Sequence, residues 1–293
     1  MNEVLSLEEK VLDAQEFIRA NLSDSNIPTA MMFSGGKDSV VVRHLLESYG
    51  INHVKYYYMA SGIEGPYLKN YLLENYPDVE WLVPKTDNVF EEWKQRKFVP
   101  FPYSMAKDKR YIATLQRFFC CKSRYLLKAN ALRPYTNIIM GVRETDVGNV
   151  LRYEKRIVTH QNKSYFQPIY HFSREDIYEY IEKYNIELCK EYKLFDRTRT
   201  CPVCPVCPMW ANDDNILKIF KTEYADIYTK FEETVKYCYD NNEYLREQFN
   251  TYEEYLECCT DRNKYINKIS TDKYFIDPES GLKYSNETGS VVM

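Results

Sequence analysis

The chain has 293 residues, of which 44% are hydrophobic and 28% charged, a balance that suits a globular protein with a buried core and excludes disordered or collagen-like classes. The formal net charge of −4 argues against a dedicated nucleic-acid binder. The opening MNEVLSLEEKVLDAQEF has no basic stretch followed by an apolar run, and no segment approaches the roughly 18 apolar residues of a membrane span, so a cytoplasmic protein without membrane contact is expected.

Residues 5–22 carry apolar side chains at helical spacing (Leu7, Val11, Leu12, Ala14, Phe17, Ile18) and read as an amphipathic helix. IPTAMMFSGGKDSVVVRHLLESYG then runs from an apolar strand, through a Gly-Gly turn, into a helix that ends at Gly50. HVKYYYM predicts a second strand, PYLKNYLLENY a helix, VEWLV a third strand and NVFEEWKQR another helix. Further on, SRYLLKANALR predicts a helix and NIIMGV a short, fully apolar strand. SREDIYEYIEKYNI starts with a Ser N-cap and two acids, a strong helix start. Residues 212–260 keep helical periodicity, and the last thirty or so look loop-like. Strands alternating with helices predict an α/β fold, a mostly parallel twisted sheet with helices on both faces, followed by a C-terminal helical extension. Two domains are expected, 1–210 and 211–293. The second part holds 10 Lys/Arg against 17 Asp/Glu, a balance of −7, which leaves +3 for the first.

Ser34-Gly35-Gly36-Lys37-Asp38-Ser39 sits at the first strand-to-helix junction. The glycines permit a sharp turn and a close approach of backbone N–H groups to an anion, and the helix adds its positive end. Ser34 and Ser39 supply hydroxyls, Lys37 a point charge for a phosphate, and Asp38 either orients the loop or helps hold Mg²⁺. The loop is too short for the G-x-x-x-x-G-K-[ST] pattern.

FSGGKDS resembles the PP-loop of the ATP pyrophosphatase superfamily. That resemblance implies an adenine nucleotide alpha-hydrolase-like fold in which the loop grips the pyrophosphate of ATP. Attack on the α-phosphate would then give an adenylated substrate, with Lys37 and Asp38 as catalytic residues. YFQPIYHFSREDIYEYIEKYNI is similar to a segment of the phosphoadenosine-phosphosulfate-reductase-like branch, through Pro168, Ile169, Ser173, Asp176 and Ile177, with Phe172 where Trp is usual. GVRETDVGNVLRYEK resembles a second stretch of that branch through Gly141 and Arg143, which the resemblance assigns to phosphate or adenosine contact. Asp146 and Val147 stand where Glu and Ser are usual, and Arg152 comes two residues late.

Nine cysteines in a chain of this expected compartment read as metal ligands or reactive thiols. Cys201, Cys204 and Cys207 recur every three residues in TCPVCPVCPMW, but the position that would complete a ferredoxin-like run is Ala211. The adjacent pair Cys120-Cys121 is the best complement. Iron–sulfur sulfonucleotide reductases and DNA-phosphorothioation ATP pyrophosphatases show a Cys-Cys pair followed some eighty residues later by C-x-x-C. Here Cys121 and Cys204 are 83 positions apart. By that resemblance Cys120, Cys121, Cys204 and Cys207 hold a [4Fe–4S] cluster and Cys201 is an alternative ligand or a free thiol. Zn²⁺ on the same thiolates is the competing reading, and unligated thiols a third. Eight basic residues between Tyr103 and Arg133, against the single acid Asp108, would favour thiolates and attract a phosphate-rich substrate; a solvated basic helix face is the plain alternative.

The expected function is an ATP pyrophosphatase that adenylates a nucleotide or nucleic-acid substrate for sulfur transfer. A cysteine desulfurase and modification-complex proteins are the expected partners. A sulfonucleotide reductase is the first alternative; its usual C-terminal Cys segment is echoed only by LECCTDRNK, through Glu257, Cys258 and Cys259, without the Gly or a later His. A non-catalytic nucleotide- or redox-sensing protein is the second.

Overall fold

A computed structural model of the protein describes residues 5–83, 88–99, 127–146, 155–160, 162–194 and 214–260, together with three short strands at 274–276, 283–285 and 291–292. The chain divides into two compact units. The first combines residues 1–59, 66–82 and 128–201, and the second 60–65, 83–127 and 202–293.

The first unit opens with α1 (Leu7–Leu22), begun by a capping box in which Ser6 Oγ accepts from the Glu9 N–H and Glu9 reaches back to the Ser6 N–H. Its buried stripe is Leu7, Val11, Ala14, Ile18 and Leu22, while Leu12 faces solvent. Then follow β1 (Thr29–Met32), α2 (Lys37–Ser48), β2 (Lys55–Met59), α3 (Pro66–Asn75) and β3 (Glu80–Leu82). Helical backbone at 127–131 leads into β4 (Asn137–Ile139), after which come β5 (Ile157–His160), β6 (Lys163–Phe166), α5 (Arg174–Lys183) and a single helical turn, α6 (Glu191–Leu194).

The strands form one sheet in the order β3-β2-β1-β4-β6-β5. Every pairing is parallel except β5 with β6. The expected α/β architecture is therefore present, with an antiparallel hairpin added at one edge. That hairpin was not predicted from the sequence. IVTH and KSYF are each suited to a strand, and Asn162, at φ 62, turns the chain between them. The central strands are short and apolar because both faces are covered: Ala30, Met31, Ile138 and Ile139 are fully buried.

Polar side chains fix the helices on this sheet. Lys10 of α1 pairs with Asp176 of α5 at 2.6 Å. Burial raises the Asp176 carboxyl, but hydrogen bonds from Lys10 and from the Ser173 backbone and hydroxyl outweigh it and bring its pKa below the ordinary value. On α2, the Arg43 guanidinium lies 4.3 Å from the Tyr56 ring centroid and 4.8 Å from that of Tyr76, and it bonds Glu47 and Asp78. The helix that follows the Gly-Gly loop is thus held along its length.

The second unit contains α4 (Val89–Arg96) and the four helices α7 (Asp214–Glu223), α8 (Ala225–Asp240), α9 (Glu243–Gln248) and α10 (Tyr252–Thr260). It is larger than the 211–293 extension read from the sequence because α4 packs on α8. Trp93 and Phe231 stack edge-on at 6.3 Å, and the Cys238 thiol donates to the Trp93 carbonyl. Tyr255 is fully buried, its hydroxyl accepting from the Val99 N–H at 2.8 Å and donating to the Val99 carbonyl at 2.7 Å. The C-terminal stretch expected to be loop-like carries a small antiparallel sheet, β7 (Tyr274–Ile276), β8 (Lys283–Ser285) and β9 (Val291–Val292). No described helix is long and apolar enough to cross a membrane.

Candidate active site

The sheet order makes one place special. From β1 the chain passes through α2 to β2 on one side, whereas β4 lies on the other side of β1, so the loops leaving β1 and β4 diverge. A crevice at the C-terminal ends of two such strands is where open α/β sheets take ligands. The residues that leave β1 there are Phe33 to Gly36, and those that leave β4 are Met140 to Arg143.

The first loop has the shape the sequence anticipated. Gly35 takes φ +69, and a Cβ at this position would come within 2.8 Å of Leu72 Cδ2. Gly36 is the N-cap of α2 in extended conformation and contributes no side-chain cap. The loop braces itself instead. Ser39 Oγ donates to the Gly36 carbonyl at 2.8 Å, the Gly36 N–H donates to Ser34 Oγ at 3.2 Å, and the two hydroxyls are 3.1 Å apart. The first N–H groups of a helix lack partners within it. That of Lys37 donates to Tyr192 Oη at 2.6 Å.

Gly141 and Arg143 meet this loop from the other strand. A Cβ on Gly141 would stand 3.2 Å from the Asp38 carbonyl carbon and from the Ser39 nitrogen, so glycine lets the β4 loop lie closely against the start of α2. Two cations converge on one carboxylate there. Lys37 Nζ lies 2.5 Å from Asp38 Oδ2, and Arg143 Nε lies 3.3 Å from Asp38 Oδ1. All three side chains are at most 14% exposed. The group carries one net positive charge beside the positive end of a helix, a field that suits an anion.

The structure thus brings together Ser34, Gly35, Gly36, Lys37, Asp38, Ser39, Gly141 and Arg143. Cys120, Cys121, Cys201, Cys204 and Cys207 lie outside the described residues, as do Val147, Arg152 and most of the basic 103–133 stretch. Among the described residues no cluster of His, Cys, Asp or Glu could hold a metal ion. Cys258 and Cys259 are buried, and burial, reinforced by the neighbouring Glu257 and Cys258 respectively, pushes both thiols well above their ordinary pKa. They are core residues of α10. Sequence reasoning missed Tyr192 and its neighbour Glu191, whose Oε1 accepts the Leu68 N–H at 2.8 Å in the first turn of α3. No local pattern could have marked them, since their partners are 155 and 123 positions away.

A parallel sheet with a glycine-turned, lysine-bearing loop at its switch point defines a nucleotide-binding α/β protein of the PP-loop ATP pyrophosphatase superfamily, with an adenine nucleotide alpha-hydrolase-like fold. Within it, the chain belongs to the phosphoadenosine phosphosulfate reductase domain family, whose domain matches residues 28–198. No curated protein matches the sequence. Among solved structures, phosphoadenylyl-sulfate reductase from Candida auris, a phosphate complex, is 12% identical, with a TM-score of 0.45 over 67% of this chain and 95% of that one. U34-tRNA thiolase NcsA from Methanococcus maripaludis, with its [4Fe-4S] cluster, is 17% identical, with a TM-score of 0.43 over 81% of this chain and 80% of that one. Candida glabrata FMN adenylyltransferase, with FMN and the ATP analogue AMPCPP, is 16% identical, with a TM-score of 0.44 over 64% of this chain; the match spans 61% of that protein's length.

Proposed function

We propose that the protein is an ATP pyrophosphatase that adenylates a nucleotide or nucleic-acid substrate for sulfur transfer. The observation that supports this most directly is the convergence of Lys37 and Arg143 on Asp38 at the N-terminus of α2. In this reading the backbone of Gly35 to Ser39 cradles the β- and γ-phosphates, and Lys37 and Arg143 turn from Asp38 to the phosphate oxygens. A substrate oxygen attacks the α-phosphorus and the bond to the β-phosphate oxygen breaks. Pyrophosphate leaves with the charge that the two cations and the helix end are placed to stabilise. A sulfur nucleophile then displaces AMP from the activated carbon.

Asp38 is the carboxylate available to Mg²⁺, which takes one or two carboxylates, phosphate oxygens and several waters. It fits that ion once its cations move to phosphate. Bound there, Mg²⁺ would neutralise phosphate charge. The cluster belongs to the same proposal. By the resemblance to iron–sulfur sulfonucleotide reductases, Cys120, Cys121, Cys204 and Cys207 would hold a [4Fe–4S] centre, with Cys201 the spare or alternative thiol and Zn²⁺ the competing occupant. A cysteine desulfurase would be the natural source of sulfur, and a cytoplasmic location goes with that chemistry.

Incubation with Mg-ATP and candidate nucleic acids tests the reading. Pyrophosphate release that is lost in Lys37→Ala supports it. Sulfite release from adenylyl sulfate without ATP cleavage would replace it with the reductase alternative. Protein purified without oxygen should be brown, with iron and sulfide in stoichiometric amounts; colourless, zinc-bearing protein would overturn the cluster.

A further inference from the structure

We propose that Tyr192 is a built-in competitor of phosphate: its hydroxyl holds the Lys37 N–H that a bound pyrophosphate takes, and occupancy of the loop releases this anchor of residues 187–194. The proposal rests on the reading of the loop as a pyrophosphate site. A helix capped by glycine has no acceptor of its own for its first N–H groups. Here the acceptor comes from 155 positions away, at 2.6 Å, from a tyrosine only 3% exposed. Gly36 also leaves room for it, since a Cβ at that position would lie 3.3 Å from Tyr192 Oη.

Tyr192 is one of several attachments of its segment. Glu191 Oε1 accepts the Leu68 N–H at 2.8 Å, and the Glu187 carbonyl accepts from Tyr71 Oη at 2.7 Å. The Lys190 ammonium adds a contact with the Tyr67 ring at 4.0 Å, so the segment is tied to α3 by these contacts and to the loop-bearing helix α2 by the Tyr192 hydroxyl. An N–H in this geometry serves one acceptor well. A charged phosphate oxygen forms a bond roughly twice as strong as a neutral phenol oxygen does. An anion seated at the start of α2 therefore takes the Lys37 N–H and leaves the ties to α3 in place. In sequence, the loosened segment runs on to Cys201, nine residues beyond Tyr192.

Calorimetric titration with inorganic pyrophosphate, together with amide hydrogen exchange over residues 187–194, tests the competition. Tyr192→Phe keeps the buried ring and removes only the competing oxygen, so it should bind pyrophosphate about fivefold more tightly than the unaltered protein. In the unaltered protein, pyrophosphate should speed exchange in 187–194; in Tyr192→Phe, exchange there should already be fast and should not respond. The exchange experiment on the unaltered chain needs no variant. Pyrophosphate binding with equal or weaker affinity in Tyr192→Phe and no change in exchange would overturn the competition while leaving the nucleotide site intact. Failure of both proteins to bind pyrophosphate would overturn the site itself, and the competition with it.

Discussion

In the unit built on the parallel sheet, buried polar groups gather at a helix start: Lys37 and Arg143 share Asp38, and Tyr192 closes the first N–H of α2. In the helical second unit two buried groups turn to main-chain atoms instead. The Tyr255 hydroxyl bonds both the N–H and the carbonyl of Val99, and the Cys238 thiol, pushed by burial up to about 12, donates to the Trp93 carbonyl. In the proposed function an anion rearranges the first arrangement, because its oxygens can replace Asp38 and Tyr192 as acceptors for the cations and the backbone donor. Tyr255 and Cys238 are neutral groups bonded within the fold, where a change of partner leaves a buried atom unpaired. Burial of polar groups alone does not mark a site; what matters is whether a ligand can take over their bonds.

That contrast can be broken by substitution. Lys37→Ala should have the largest effect on chemistry, lowering pyrophosphate release by a factor of about 100 or more, read in a coupled pyrophosphate assay. Trp93→Ala should cost about 3–5 kcal/mol of stability by opening the aromatic core of the second unit, measured by denaturant unfolding. A Trp93→Ala protein as stable as the parent would show that α4 and α8 do not depend on that core. Gly141→Ala should have a smaller effect than either. The added Cβ meets backbone of α2 rather than a side chain that can move, so the β4 loop must shift, and pyrophosphate affinity should fall roughly tenfold with the fold intact.

The smallest effect concerns pH. Asp176 is shifted below its ordinary value of 3.8, so its contribution is complete above that value and is lost as pH falls through the lower folded value. Asp176→Asn should therefore be less stable than the parent by at most about 1 kcal/mol at neutral pH, and the gap should close in acid. A gap that stays constant down to pH 2 would contradict this assignment.

Much of the sheet unit was legible in the sequence because its signals are local. Apolar runs broken by Gly-Gly mark β1 and α2, and Ser173 with Asp176 marks the start of α5 through its capping box. The loop residues Ser34 to Ser39 carry their chemistry in their order, and the structure adds Gly141 and Arg143 to them. The β5–β6 hairpin was missed because Gln161-Asn162 lacks a glycine, leaving Asn162 to take the left-handed turn. Tyr192 and Glu191 were missed because their roles depend on backbone N–H groups distant in sequence. The grouping of the second unit was not legible for a similar reason: α4 joins helices that follow it by more than a hundred residues, a packing no periodicity encodes.

The proposed activity cuts ATP between its α- and β-phosphates. ATP labelled at the α-phosphate, incubated with the protein, Mg²⁺ and an acceptor nucleic acid, should carry its label into an adenylylated acceptor and then AMP, with unlabelled pyrophosphate released in equal amount. Label recovered in ADP, with inorganic phosphate as the other product, would place the cut at the γ-phosphate and contradict the account.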